Sequence, residues 1–593
     1  MNSLQPIYTE KNNCQDCYKC VKACPVKAIK IEDAAASIIP ELCIYCGKCK
    51  EVCPQGAKKI RDDVPLVRKG LKRGEKIIVA LAPSYLSEYS KEDVSKVIAA
   101  YKEAGFWGVS EVALGAEKVA ADTKTWLDKQ GSGVYFSSCC PSAVMLIKKY
   151  YPQYSSAIAP VLTPMLASAK YLKEIYPDCK VLFVGPCVAK KTELTGTNGQ
   201  WVDYVLTFPD MKAMFDDMGI FFEFQKPTQD DVFIPVKGNR GNLYPIDGGM
   251  LTNMIEGMGD DTKRISANSQ AQSNVKYMTF SGVDNLKDIL KDLPSLQEAE
   301  SKTFIEIMTC PGGCIKGPCS TAINSSATKR LKVLENITSA KRDLKMINAL
   351  NNIDTLTSYD YIPNVQKKEY SQRDIYEAMR RVNKQSEKDE LNCSGCGYDN
   401  CREFAKALID GKAENDMCIS FMRRVAQDKT NILLRKMPSS VVIVNDDLKI
   451  VDSNKKFADL FGEDIKMIWE ANPGLHNADI TKIVPFYKFF SSVLETGEDV
   501  LQQDIRDGDN YYSLSVFSVQ THSLVCGIIQ NLHAPEVRKD LVLNRTKEVI
   551  TQNMKVVQQI AFLLGENASY TESMLNSILE SHNNANDKKD NAQ

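Results

Sequence analysis

The sequence predicts a multidomain protein, α/β in its middle and α+β toward its end, with small cysteine-bound modules around the α/β part. Three observations carry that prediction. Short apolar runs alternate with helix-period stretches between residues 77 and 308. Of the 20 cysteines, 19 precede position 420, most of them in spaced runs, and only Cys526 lies beyond. Behind them come hairpin-like alternating stretches and then a long seven-residue repeat. A length of 593 residues with 44% apolar content suits roughly four domains with proper cores. With 74 basic against 75 acidic residues, no global field recruits nucleic acid or an anionic membrane. The opening residues Met1 to Pro6 carry no basic stretch followed by an apolar run, and no apolar stretch approaches the roughly 18 residues of a membrane span. The expectation is a cytoplasmic protein without nucleic-acid or membrane partners.

Cysteines clustered in a long chain read as metal ligands rather than disulfides. Cys14, Cys17, Cys20 and Cys24 form a C-x2-C-x2-C-x3-C-P run, and Cys43, Cys46, Cys49 and Cys53 repeat it 29 residues later. This is the spacing of two-cluster ferredoxins, in which the fourth cysteine of each run serves the other cluster. Cys14, Cys17, Cys20 and Cys53 are therefore expected to bind one 4Fe-4S cluster, and Cys24, Cys43, Cys46 and Cys49 the second. Structural zinc also favours four thiolates, but normally from paired knuckles. The two-cluster ferredoxin domain is assigned to residues 1–62.

After a basic connector, Arg61 to Lys76, the run Ile77-Ile78-Val79-Ala80-Leu81 reads as a buried strand ending at Ala82-Pro83-Ser84. Val181 to Val184 and Thr303 to Met308 read likewise, with a helix over Glu92 to Ala104 between. Two of these strands run into cysteine islands, Pro186-Cys187-Val188-Ala189-Lys190-Lys191 and Met308-Thr309-Cys310-Pro311-Gly312-Gly313-Cys314, and a third island is Ser137-Ser138-Cys139-Cys140-Pro141. Open α/β sheets place sites at such strand ends. The three islands resemble the signatures of FeFe hydrogenases, over about residues 77–370 within a domain assigned to 63–370. The resemblance implies an H-cluster, a 4Fe-4S cubane joined through a cysteine to a two-iron centre with CO, cyanide and dithiolate ligands. Cys140, Cys187, Cys310 and Cys314 would hold the cubane, with Cys314 the bridge. Lys190 would hold a cyanide, Ala82, Pro83 and Ser84 would line the pocket, and Met308 would lie beside the two irons. Cys139 would hand protons to the bridging amine, where the alternative is a small buried side chain with no proton role. Cys179 and Cys319 are expected in the core.

Departures from the family pattern predict slow turnover. Where that pattern carries two glutamates on the helix after Gly115-Ala116, the sequence has Thr123 and Trp126. Ala159 stands for a serine, Gly185 for a methionine, and Pro318-Cys319-Ser320-Thr321 for a Gly-Gly-Gln-Pro tail. A proton wire needs titratable or hydroxyl groups in hydrogen-bond reach.

Cys393, Cys396, Cys401 and Cys418 make a further four-thiolate set, similar to small 4Fe-4S modules, with a helix expected from Arg402 to Met417 and zinc as the alternative. That module is assigned to 371–428. From 429 to 535 a strand at Val441 to Val444, a turn at Asn445-Asp446-Asp447, a strand at Lys449 to Val451, a helix over Asn454 to Gly462 and strands at Tyr511 to Val519 and Leu524 to Gln530 resemble a PAS sensor domain. Cys526 is expected to be buried, and His476, His522, His533 and His582 to be surface or turn residues. Residues 536–582, with Ile550, Val557, Leu564, Thr571 and Ile578 at seven-residue spacing, predict a coiled-coil or signalling helix and through it a homodimer. Residues 583–593 predict a disordered tail.

The whole order resembles the sensory FeFe hydrogenases. It implies reversible hydrogen oxidation and proton reduction at an H-cluster, three accessory 4Fe-4S clusters as relays, and hydrogen or redox sensing signalled through the PAS domain to a downstream kinase or phosphatase. The rival readings are a metabolic hydrogenase exchanging electrons with ferredoxin, and an iron–sulfur electron-transfer or assembly protein without a two-iron centre.

Overall fold

A computed structural model describes residues 5–90, 92–256, 275–297, 301–336, 349–366, 368–508, 510–531 and 549–555. The chain divides into two compact units, Met1–Arg423 and Arg424–Gln593. Among the described residues no helix is long and apolar enough to cross a membrane.

In the first unit, the duplicated cysteine runs fold as a duplicated scaffold. Strand Ile7–Thr9 pairs antiparallel with Lys58–Ile60, and Ile29–Glu32 pairs with Ala35–Ile38. Short helices Lys19–Ala23 and Lys48–Glu51 carry Cys20 and Cys49. The connector predicted as a basic link is instead the helix Val64–Lys72, begun by a proline at its second position and amphipathic enough to bury Val67 and Gly70.

Two parallel sheets form the centre. The first runs Gly108–Glu111, Ile77–Leu81, Lys180–Gly185, Tyr204–Thr207 in spatial order. Ile77–Leu81 is buried throughout, as a strand covered on both faces must be, so its sequence is a continuous apolar run rather than an alternation. The second sheet orders Val275–Ser281, Lys302–Met308 and Gly133–Phe136, again parallel. Gly133–Phe136 was not foreseen, because four residues with no apolar run leave little periodic signal. With it, each of the three cysteine islands directly follows the carboxyl end of a parallel strand.

A buried ion cluster ties the connector to this core. Lys191, fully buried, donates to Asp63 at 2.9 Å and to the Val205 carbonyl at 3.0 Å, and lies 3.4 Å from Asp210. Cys179 and Cys319 are buried in apolar clusters.

In the second unit, five antiparallel strands take the order Ile450–Ser453, Ser440–Asn445, Leu524–Asn531, Asn510–Gln520, Val500–Asp507, which is second, first, fifth, fourth, third along the chain. Val500–Asp507 was not anticipated, since this edge strand is mostly exposed and polar. Helices Lys455–Leu460, Glu463–Ala471 and Lys488–Thr496 lie between the second and third strands, and Phe457, Phe490, Leu514 and Val516 fill the core. Cys526 is buried, while His476 and His522 set Nδ1 against the Val451 and Leu494 carbonyl oxygens, to which an Nδ1–H donates locally. Residues 549–555 are helical. The remainder of the terminal repeat, the tail, His533 and His582 lie outside the described residues.

Asn454 organises this unit. Its side-chain carbonyl accepts from the Val441 and Phe457 amides at 3.0 Å, and its amide donates to the Ser439 carbonyl at 2.8 Å and the Leu434 carbonyl at 3.2 Å. Both halves of the amide are thus used twice while the residue is buried. Asn454→Ala is expected to destabilise the second unit by about 2–4 kcal/mol, the cap plus orphaned buried partners. The shift of the unfolding transition of residues 440–531 in urea measures it.

Candidate metal centre and its cavity

The strand ends set the geometry of the centre. Gly133–Phe136 delivers Ser137 to Cys140, and Pro141 then starts the helix Pro141–Tyr150, with Cys140 at its N-cap position. Lys180–Gly185 delivers Pro186 and Cys187, followed by a single turn, Ala189–Thr192. Lys302–Met308 delivers Thr309 and Cys310, and the chain doubles back at Gly313 before the turn Cys314–Lys316. Gly313 has φ +97°, and a Cβ there would stand 2.3 Å from the Pro245 carbonyl oxygen, so only glycine lets Cys314 approach.

Cys140, Cys187 and Cys314 thereby line one cavity of about 100 Å³, together with Cys139, Lys190, Met308 and the stretch Ala82-Pro83-Ser84. Cys310 is not on its wall but lies within electrostatic range of Cys140, Cys187 and Cys314. Burial pushes the Cys187 thiol up to about 11 and those of Cys310 and Cys314 well above the ordinary thiol range. Among the described residues no three His, Cys, Asp or Glu side chains close to the spacing of a single metal ion. Three of the thiols border a space instead, with Cys310 in electrostatic range of them, and four soft donors so grouped suit an iron–sulfur cubane.

The rest of the cavity wall holds polar groups that protein partners do not satisfy. Ser84 Oγ is buried without a hydrogen-bond partner among the described residues. Lys190 Nζ is 2.7 Å from Glu193 Oε2 in a nearly buried pair. Cys139 Sγ lies 3.5 Å from Met250 Sδ, beside the Tyr244 hydroxyl, and its proton is held more tightly by burial and by the nearby Glu306. Glu306 itself escaped the sequence reading. It is buried on the strand Lys302–Met308, where its carboxylate oxygens accept from the Met250 and Leu251 amides at 3.3 and 3.4 Å. Desolvation nonetheless raises its pKa to about 8. A lone glutamate inside Phe304-Ile305-Glu306-Ile307-Met308 was the available signal, since a charge at a buried strand position needs a reason.

The accessory cysteines also gather. Cys14, Cys17, Cys20 and Cys53 surround a small cavity of their own, the crossed set that the repeated spacing implies. Cys24, Cys43, Cys46 and Cys49 lie within electrostatic range of one another across the second set, where burial above all raises the Cys43, Cys46 and Cys49 thiols, and the Ala28 and Tyr45 amides point at Cys24 and Cys43 Sγ at 3.2 and 3.3 Å. In the third set Cys396 lies within electrostatic range of Cys393 and Cys418. Cys401 starts a helix, with its amide bonded to Asn392 Oδ1 at 2.9 Å. The helix expected from Arg402 to Met417 is shorter, Cys401–Ile409, ended by Gly411 at φ +67° and followed by the turn Asn415–Met417. Cys418 then immediately precedes the helix Ile419–Lys436.

Residues 75–318 match the family described as iron only hydrogenase large subunit, C-terminal domain. The central domain is of the FeFe-hydrogenase catalytic family. Residues 6–60 match a 4Fe-4S dicluster domain, and 389–420 an iron–sulfur cluster family. Iron hydrogenase 1 of Clostridium pasteurianum is 23% identical over 45% of this chain and 54% of its own length. The periplasmic Fe hydrogenase large subunit of Nitratidesulfovibrio vulgaris is 26% identical over 53% of this chain and 86% of its own. The chain thus spans about half of the clostridial relative. The cytosolic Fe-S cluster assembly factor NAR1 of Kluyveromyces lactis is 22% identical over 39% of this chain and 61% of its own. The solved apo FeFe-hydrogenase of Chlamydomonas reinhardtii is 16% identical, at a TM-score of 0.40 over 50% of this chain and 99% of that one.

Against that hydrogenase pattern the departures have physical counterparts. Thr123 is buried with its hydroxyl unpartnered, and Trp126 packs edge-on against Tyr135, so neither reaches the cavity, whose wall takes only Val112 and Ala116 from this region. At Gly185 a side chain would meet the Phe183 ring at 2.7 Å, and Phe183 lines the cavity in its stead. Pro318 packs on Gly47, with its carbonyl accepting from Lys50 at 2.8 Å, so the altered tail braces the ferredoxin domain.

The Glu306 carboxyl is expected to be protonated at pH 7 and to ionise as pH rises through about 8. Between the ordinary 4.5 and that value the folded chain keeps a proton the unfolded chain releases, so stability falls with rising pH across the interval. Infrared titration checks it: a protonated-carboxyl band that vanishes above about pH 8 and is missing in Glu306→Gln is expected.

Proposed function

We propose that this protein is an FeFe hydrogenase of low turnover, used to sense hydrogen or redox state rather than to move it in bulk. One observation carries the catalytic part. Three strand ends bring Cys140, Cys187 and Cys314 to the wall of one space, with Cys310 within electrostatic range of all three, and that wall also includes Cys139, Lys190, Ser84 and Met308. The donor set fits a cubane, and the unpartnered Ser84 hydroxyl, with the Lys190 ammonium that Glu193 holds in place, fits a polar, anionic group beside it. The bound H-cluster would supply the chemistry that splits or forms hydrogen. Cys140, Cys187, Cys310 and Cys314 would bind it as thiolates, and Lys190 would offer a compact three-donor cation to an anionic ligand. Cys139 would hold the proton at Sγ facing the cavity, and Met308 and Phe183 would exclude water.

The sensory part is supported by the second unit. A strand order of second, first, fifth, fourth, third, with the helices between the second and third strands, supports the PAS reading of the strand, hairpin, strand, helix pattern. Cys418 sits at the start of the helix Ile419–Lys436, along which the chain passes from the first unit to the second. Output would go to a kinase or phosphatase, and electrons would be exchanged with ferredoxin or another redox protein.

An assembly-factor reading has one observation in its favour, the yeast relative. Carbonyl and cyanide infrared bands in the matured protein, shifting between nitrogen and hydrogen, are the expected outcome, and their absence would defeat the hydrogenase reading. Fully matured protein is expected to evolve hydrogen about 100-fold or more below enzymes with an intact proton wire. Hydrogen gas is expected to change amide exchange in residues 440–531, and no change with reduced clusters would remove the sensor role.

A further inference from the structure

The module of Cys393, Cys396, Cys401 and Cys418 packs on the ferredoxin scaffold, with which it shares one apolar core. Val21, Ala28, Ile29 and Ile31 interleave there with Met379 and Tyr398. Gly397, at φ +87°, is pressed against that scaffold, so that a Cβ would stand 3.0 Å from Val21 Cβ and 3.1 Å from the Lys22 amide nitrogen. Lys27, three residues past Cys24, clamps the same loop. Its Nζ donates to the Gly397 carbonyl at 3.0 Å, pairs with Asp399 at 3.6 Å and lies over the Tyr398 ring at 5.8 Å. A main-chain bond from the Ile31 amide to the Lys412 carbonyl at 2.9 Å, and one from the Asp33 amide to Glu414 at 3.0 Å, complete the seam. Tyr398 lies within electrostatic range of both Cys396 and Cys24.

The opposite flank of the Cys24 set faces the hydrogenase pocket. Lys149 donates to the Pro40 and Cys43 carbonyls at 3.0 and 2.8 Å, and Tyr150 to the Leu42 carbonyl at 2.6 Å. Both residues belong to the helix that begins at Cys140. Cys46 lies within electrostatic range of Cys310. We propose that the Cys24, Cys43, Cys46 and Cys49 cluster is a junction, and that the module at 393–418 is a side branch fed from it across Tyr398 and Lys27. An electron leaving the pocket then reaches the module through the ferredoxin domain, one electron at a time, with each donor cluster oxidised as its acceptor is reduced. The inference rests on the cluster assignments proposed above.

The test uses the full chain with all clusters loaded, reduced by dithionite. Electron paramagnetic resonance is expected to show spin–spin interaction involving the module's cluster. In Lys27→Glu, which sets a carboxylate against Asp399 and the Gly397 carbonyl, that interaction should weaken at unchanged iron content. Amide protection at Ile31 should fall about tenfold there, and Lys27→Glu with Asp399→Lys should restore part of both. An interaction and a protection that are the same in Lys27→Glu, or no interaction in fully loaded wild-type protein, would overturn the branch. Wild-type protein that takes up no iron at 393–418 would overturn the assignment beneath it as well.

Discussion

The structure depends on one constraint: four thiols from three distant segments must reach a single buried space. Parallel sheets meet it because all their strands end on the same side, and an end is where the chain is free to leave regular geometry. The strands ending at Phe136 and Met308 belong to one sheet and the strand ending at Gly185 to another, so the pocket is built by two sheets rather than one. Tight turns finish the work, above all at Gly313, where the backbone passes too close to Pro245 for any side chain.

Burial around this space raises the pKa of every expected cubane thiol for which a shift is resolved, which means the protein surroundings by themselves favour neutral thiols. Binding a cluster must therefore release protons, and the free energy of that binding also becomes folding energy. The same low-dielectric setting keeps Glu306 neutral and holds the Cys139 proton tightly. On its helix side the pocket is walled by Val112 and Ala116, neither of which carries a titratable group.

Much of this was legible in the sequence, for specific reasons. Ile77–Leu81 announces itself because a doubly covered strand is apolar without interruption, and Lys180–Gly185 and Lys302–Met308 do so through the runs Val181 to Val184 and Phe304 to Met308, the latter broken only by Glu306. The crossed ferredoxin sets follow from spacing, and Cys53 does stand with Cys14, Cys17 and Cys20. What was illegible is equally specific. Gly133–Phe136 is too short to carry a period, and Val500–Asp507 is an exposed edge whose polar residues read as loop. Gly411 ends a helix that composition would have continued. Glu306 could be seen as odd, but its low-dielectric surroundings come from segments far away in the chain. The docking of the module on Val21, Lys27 and Ile31 is likewise tertiary, and no local pattern encodes it.

The central claim is that the three islands enclose one iron site with room for more than a cubane. Anomalous diffraction at the iron edge from crystals of the matured protein tests it most directly. The account predicts a compact iron cluster bounded by Cys140, Cys187, Cys310 and Cys314, with two further irons on the Cys314 side in the cavity beside Cys139 and Lys190. A single metal ion among those cysteines, or a cubane beside a cavity free of iron in fully matured protein, would contradict it.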